Sequence, residues 1–574
     1  MRRGSGIAFA VFALAFTLVS TLAVGPVAAD PGGTNDTAPP DPETDVIGWE
    51  NGRWHNETLA VDPANGLNDT ELTAVTARGM ARTEEIRRLE FEETPPVEVI
   101  TREQYRTTLN GRFENRTPAE RLHQNVKYEA TMMVGEDTDA VAVQRSNLGS
   151  GVLGYYDPET GNVTIVSENT TAPRLDEITL SQELFHALQD QRYNISSYNQ
   201  TTRELHNAVD GIIEGDGNYV DTLYNRRCDE EWNGTCLRPG ERPTAAGDRH
   251  LGLLLITLQP YSDGPVFVRE LYEREGWDAV NAIYERPPES TEQTIHTDAY
   301  RTDSPTPVSV PDRSGANWSV LDLNDSIDYA SFGEAGLYAT LWYPGYESDL
   351  AVQIIPYANL LDFPVGAEPP EIDPYDYNHT TTAGWDGDKL VPYVRGDSMA
   401  TNETGYVWRL VWDTSADAAE FREGYRQLVE YHGAEPVEGH RNTYRIADGE
   451  AFGDAFYVTR RNATMTIVNA PSVAALDGVR AGAAPRVDDD GSTDEEPTDR
   501  NPDDDGSTDR EPTDRNPDDD GSTDEEPTDR DPGATMPDDG TNESAATTPR
   551  YDVPSMPGFG SIVAVVALLV AALL

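Results

Sequence analysis

Glu183 and His186 stand three residues apart in Ser181-Gln182-Glu183-Leu184-Phe185-His186-Ala187-Leu188-Gln189-Asp190-Gln191, with Gln182 four residues before the histidine. On a helix, positions four apart lie on one face, so Gln182 and His186 project together with Glu183 beside them. These residue types suit proton and metal chemistry. An imidazole offers a neutral nitrogen to a metal or moves a proton near neutral pH, and a carboxylate acts as a general base on water. By themselves they are unspecific, because a glutamate and a histidine at this spacing occur on many ordinary helices, where the histidine is a hydrogen-bonded core residue.

The element that must carry them is legible. Leu175, Ile178, Leu184, Phe185 and Leu188 fall at helical spacing, and Asp176 and Glu177 supply negative charge near the start, which predicts a helix between Leu175 and Tyr193. Tyr155-Tyr156-Asp157-Pro158 and the strand-like Val163-Thr164-Ile165-Val166 precede it. Together these segments resemble the His-Glu-x-x-His helix of the zinc metallopeptidases called zincins and the edge strand before it, with the first histidine replaced by Gln182. Gly264-Pro265-Val266-Phe267-Val268, Gly276-Trp277 and Pro287-Pro288-Glu289-Ser290-Thr291-Glu292-Gln293-Thr294-Ile295-His296 resemble helical elements of a bacterial and archaeal zincin-like group, so the likeness covers about residues 150 to 300. His296 either caps a helix or faces the cleft.

The resemblance implies an α+β fold with a mainly helical, zincin-like core and a small edge sheet. It implies Glu183 as general base and His186 as a metal ligand. In the glutamate-type zincins a further ligand comes from a later helix, and Glu214 in Val209-Asp210-Gly211-Ile212-Ile213-Glu214-Gly215-Asp216 matches it; the alternative is a turn-side carboxylate. Zinc is the cofactor so implied, but Gln182 offers an amide oxygen, a poorer zinc ligand than imidazole. The expectation is a degenerate metallopeptidase-like domain with a binding or structural role. The rivals are an active zinc metallopeptidase with an atypical ligand set and a purely structural surface protein.

Composition bounds the setting. Asp and Glu number 102 against 43 Lys and Arg, a net charge of −59, and Lys127 and Lys389 are the only lysines. Such a chain repels itself unless salt screens it, and at molar salt the screening length falls to about 3 Å. The pattern resembles that of extreme halophiles and excludes nucleic acid as a partner, since a phosphate backbone needs a basic footprint. Residues 1–29, with Arg2-Arg3, an apolar run from Ile7 to Val24 and small residues before Asp30, read as a signal peptide. Export makes about fifteen Asn-x-Ser/Thr sites glycosylation candidates, among them Asn56, Asn115, Asn162, Asn194, Asn233, Asn317, Asn402 and Asn462. Cys228 and Cys236, the only cysteines, are expected to form a disulfide, a local clip contributing about 2–3 kcal/mol.

After a linker over 30–45, the core domain is expected over 46–345 and an α+β accessory module over 351–478. In the module, Gly384–Lys389 is read as opening a strand, further strands are read at Val407–Trp412, Phe456–Val458 and Met465–Val468, and an amphipathic helix at Ser415–Tyr431 with Ala418, Phe421, Tyr425 and Leu428 inward. From Asp488 to about residue 550 the Asp-Asp-Asp-Gly-Ser and Glu-Pro-Thr-Asp-Arg repeat holds no large apolar residue, which predicts a disordered acidic stalk. Pro557-Gly558-Phe559 then opens 557–574, whose apolar run from Ser561 to Leu574 is short for a bilayer of ~30 Å. This arrangement resembles the archaeal sorting signal that an archaeosortase cleaves and replaces with lipid. The implied partners are the archaeosortase, the cell membrane through a processed anchor, and surface-layer components; the implied location is the outer face of the membrane.

Overall fold

A computed structural model describes residues 39–487, apart from 149–151, 235, 239–248, 325, 365–366, 368 and 371. The predicted signal peptide, stalk and sorting signal, with Pro557, Gly558 and Phe559, lie outside the described residues. By its contacts the chain divides after Pro40, and every helix and strand described belongs to the unit that begins at Asp41.

The first half is built from helices. A hairpin of β1 (Trp49–Glu50) and β2 (Arg53–Trp54) precedes α1 (Asp69–Arg87), β3 (Val97–Ile100), α2 (Arg102–Glu114), α3 (Pro118–Ala130) and α4 (Ala140–Leu148). Next come β4 (Gly154–Asp157), β5 (Asn162–Val166), α5 (Glu177–Tyr193), α6 (Arg203–Glu230), α7 (Leu251–Glu275), α8 (Trp277–Glu285) and the short α9 (Glu292–Ile295). Asp176 caps α5 by accepting from the Ile178 backbone N–H at 3.0 Å, and Asn194 in the left-handed region ends it, the start and stop chemistry a helix needs. β3, β5 and β4 form a small sheet in that order, β3 parallel and β4 antiparallel to β5, so β4 is an edge strand, and it packs along α5.

The second half contains β6 (Trp318–Val320), α10 (Gly333–Glu347), β7 (Trp385–Arg395), β8 (Thr404–Trp412), α11 (Ser415–Tyr431), β9 (Glu435–Pro436), β10 (Thr443–Arg445), β11 (Ala455–Arg461), β12 (Thr464–Ala470) and α12 (Val473–Val479). The strands make an antiparallel sheet in the order β6-β7-β8-β12-β11-β10-β9. Its middle strands are buried on both faces: Leu390, Trp408 and Ile467 join one apolar cluster, while Val391, Val407 and Val468 join another with Leu476 and Val479 of α12. The first of these clusters also holds Leu122 and Val126 of α3 and Leu254 and Leu258 of α7, so apolar packing is continuous from the helical half onto the sheet. The Asp388 carboxylate on β7 ties α10 to the sheet, accepting from the Phe332 and Gly333 backbone N–H groups at 3.1 Å each and from Trp408 Nε1 at 2.9 Å.

Cys228 and Cys236 are joined in a disulfide with Cα atoms 5.9 Å apart. Among the sequon asparagines, Asn115, Asn194, Asn233, Asn317, Asn402 and Asn462 are exposed and Asn56 and Asn162 are half-buried.

Candidate functional site

Two helices meet at the chemistry-bearing residues. Gln182, Glu183 and His186 sit on α5 and Glu214 on α6, with side chains 2, 1, 6 and 4 % exposed. The close approach has a visible cause: a Cβ at Gly217 of α6 would lie 3.3 Å from His186 Cε1. Two residues earlier, a Cβ at Gly215 would lie 2.6 Å from the Gly264 carbonyl of α7. Glycine there lets α7 come near enough for the Tyr261 hydroxyl to donate to Glu214. His186 Nε2 stands 3.5 Å from Glu214 Oε2, a charge contact longer than a good hydrogen bond.

A chain of partners orients the histidine. Gln189 spends its amide protons on the Ile213 carbonyl at 2.9 Å and the Tyr284 hydroxyl at 2.6 Å, so its oxygen is left to accept from His186 Nδ1 at 2.7 Å. Tyr284 O–H donates to Asp216 Oδ2 at 2.8 Å, and Arg87 Nε donates to both Asp216 oxygens at 3.0 Å. The Arg87 guanidinium lies over Trp277, 4.5 Å from the ring centroid. With Nδ1 committed as donor, Nε2 is the nitrogen turned to Glu214, as a lone pair in neutral imidazole and as a second N–H in the cation.

The electrostatics follow from burial and neighbours. Burial pulls the His186 imidazole down, but the Glu214 carboxylate, then Glu183 and the Gln189 bond, outweigh it and carry it up to about 10. Burial pushes the Glu183 carboxyl up to about 7, opposed by His186 and reinforced by Glu214. Asp221, two turns beyond Glu214 on α6, is held well above the carboxylate range by burial, with Glu183, Asp176 and Glu214 adding to it.

The fit to zinc is incomplete. Gln182 Nε2, Glu183 Oε1, His186 Nε2 and Glu214 Oε2 are buried without hydrogen-bond partners, the kind of unmet polar set that invites a ligand. Yet no three of these acids and the histidine bring ligand atoms within 4.8 Å of one another, and an amide stands where a tetrahedral centre needs a third strong ligand. The residues do not fit a catalytic zinc ion, and no hydrolytic step is derived through one.

His296 is placed away from this set, with Nε2 3.1 Å from Glu334 of α10. Sequence reasoning passed over Arg87, Gln189, Asp216, Tyr261 and Tyr284. Asp216, which follows Glu214-Gly215, and Gln189, three residues from His186 on α5, stood within the quoted segments, whereas Arg87, Tyr261 and Tyr284 come from helices distant in sequence.

Two family models match the chain. One is a domain of unknown function, DUF8575, over residues 320–480, which takes in α10, the sheet strands from β7 onward and α12 and leaves out the α5–α6 site. The other is the PGF-CTERM motif over residues 556–574. No curated protein and no solved structure matches. The PGF-CTERM motif marks a surface protein of an archaeon, processed by an archaeosortase and anchored by lipid on the outside of the cell membrane. Among the described residues no helix is long and apolar enough to cross a membrane.

Proposed function

We propose that this is a glycosylated, lipid-anchored protein of the surface-layer region of a halophilic archaeon, whose α5–α6 domain is a metallopeptidase-like scaffold that no longer hydrolyses peptides. Its role in the envelope is binding or structural. The observation that carries this reading is the sealing of the site: Gln182, Glu183, His186 and Glu214 are each 6 % exposed or less. Edge strand β4 lies so close that a Cβ at Gly154 would sit 3.2 Å from Glu183 Cγ, and the Tyr156 backbone donates to that carboxylate. A peptidase must admit a peptide and a water to its general base, and here the base faces its own strand. The second reading, an active zinc peptidase with atypical ligands, draws on the buried polar atoms without hydrogen bonds at the same place.

Casein hydrolysis by the protein purified from its host, compared with Glu183→Gln in molar salt, separates the two. No hydrolysis above background in either form is expected. Hydrolysis by the natural protein that vanishes in Glu183→Gln would overturn the proposal.

A further inference from the structure

Away from α5 and α6, three carboxylates converge from parts of the chain distant in sequence. Glu292 opens α9, Asp303 lies in the segment after it, and Asp413 follows β8. One oxygen of each lies within 4.8 Å of the other two, and among the described residues no other set of three potential ligands does so. The exposed Asp413 would be ordinary on so acidic a surface. Glu292 is different: the residue is 4 % exposed, its carboxylate makes no hydrogen bond or ion pair among the described residues while its backbone carbonyl accepts from the His296 N–H at 2.7 Å, and its acidic neighbours include Glu334, Asp303, Asp413 and Glu204.

A buried carboxylate without a partner is costly, and one among other carboxylates more so. A cation held among them relieves that cost. The convergence is anchored on both sides. The Gln293 amide donates to the Asp303 carbonyl, and the Thr306 backbone N–H donates to Asp386 Oδ1 of β7 at 2.8 Å.

We propose that Glu292, Asp303 and Asp413 bind one calcium ion that fastens the α9 segment to the β8–α11 turn. The donor set is all oxygen, which selects a hard cation over zinc or copper. The three oxygens lie within 4.8 Å of one another, close enough to share an ion with bonds of about 2.3–2.6 Å, and calcium's flexible shell accepts such a carboxylate set more readily than magnesium, which demands near-ideal octahedral geometry and keeps its waters. The open side at Asp413 leaves room for the waters that complete a calcium shell. The site joins residues outside the DUF8575 match to one within it, because Asp413 alone of the three lies in 320–480, and it shares no residue with the α5–α6 site.

The test uses the full-length protein in molar sodium chloride, stripped with chelator and dialysed against calcium chloride. Bound calcium and the thermal midpoint are measured for the natural protein and for Asp303→Asn/Asp413→Asn. Glu292→Gln is included as a shape-conserving variant that keeps the buried volume should the double variant fold poorly. The natural protein is expected to hold one more calcium per chain than either variant, with a calcium-dependent rise in midpoint that both variants lose. Equal calcium in all three forms would assign binding to the acidic skin and overturn the proposal. So would a midpoint that responds to magnesium and not to calcium.

Discussion

His186 is defined by what its two nitrogens face. Nδ1 is held by Gln189, itself fixed through Tyr284, Asp216 and Arg87, and Nε2 faces Glu214. The imidazole is raised from 6.5 to about 10. A base raised on folding contributes stability that is full below its unfolded value and is lost as pH rises through the folded one. The His186–Glu214 contact therefore stabilises fully below about pH 6.5 and ceases to do so above about pH 10. Glu214→Gln is predicted to lower the thermal midpoint at pH 6.5 and to leave it close to that of the natural protein at pH 10. An equal difference at both pH values would mean the pair carries no net charge interaction.

At the scale of elements, α1 is stapled to α5 by charge. Glu177 accepts from Arg78 at 2.8 Å, Arg82 at 2.7 Å and Tyr224 at 2.8 Å, all buried. Removing one member of a buried charge cluster leaves the others unpaired and costs about 3–5 kcal/mol, so Glu177→Ala is predicted to lower stability by that order in a salt-matched denaturant titration. The α6–α7 crossing is set by Gly211, Gly215 and Gly264, where an added Cβ at Gly264 would meet the Gly211 carbonyl at 2.5 Å. Gly264→Ala is expected to cost about 1–3 kcal/mol by overpacking; an unchanged midpoint would show that the helices can part freely. Much of this level was legible in the sequence. The periodicity around Glu183 predicted a helix from Leu175 to Tyr193, and α5 runs Glu177–Tyr193 behind the Asp176 cap. The Ser415–Tyr431 helix and its inward Ala418, Phe421, Tyr425 and Leu428 are as read. The strand read as opening at Gly384–Lys389 is β7, Trp385–Arg395; Pro392 and the glycine of a bulge at Gly387 hide its far end from the alternation. Arg78, Arg82 and Arg87 are buried, although arginines are ordinarily read as surface, because their carboxylate partners are over ninety residues away. The same separation hid Glu292, Asp303 and Asp413, whose meeting depends on tertiary structure alone.

For the whole molecule, 102 acidic residues stand against 43 basic ones, and the described ion pairs at the surface are few beside that charge. Screening by salt is what keeps such a surface together, and the thermal midpoint is expected to fall on dilution from molar salt to about 0.1 M; an unchanged midpoint would refute that. The proposed function joins two observations at this scale, an anchoring motif at the C-terminus and a buried set of Gln182, Glu183, His186 and Glu214. The most direct test is zinc per chain in the natural protein and in Gln182→His, purified side by side from the host in molar salt. Replacing even the outer partners of a metal site costs about 10–100-fold in affinity, so an amide in place of an imidazole should cost at least as much. Little zinc is predicted in the natural protein, with a gain in Gln182→His that is lost again on adding Glu214→Gln. Stoichiometric zinc already present in the natural protein, bound through His186 and Glu214, would contradict this reading.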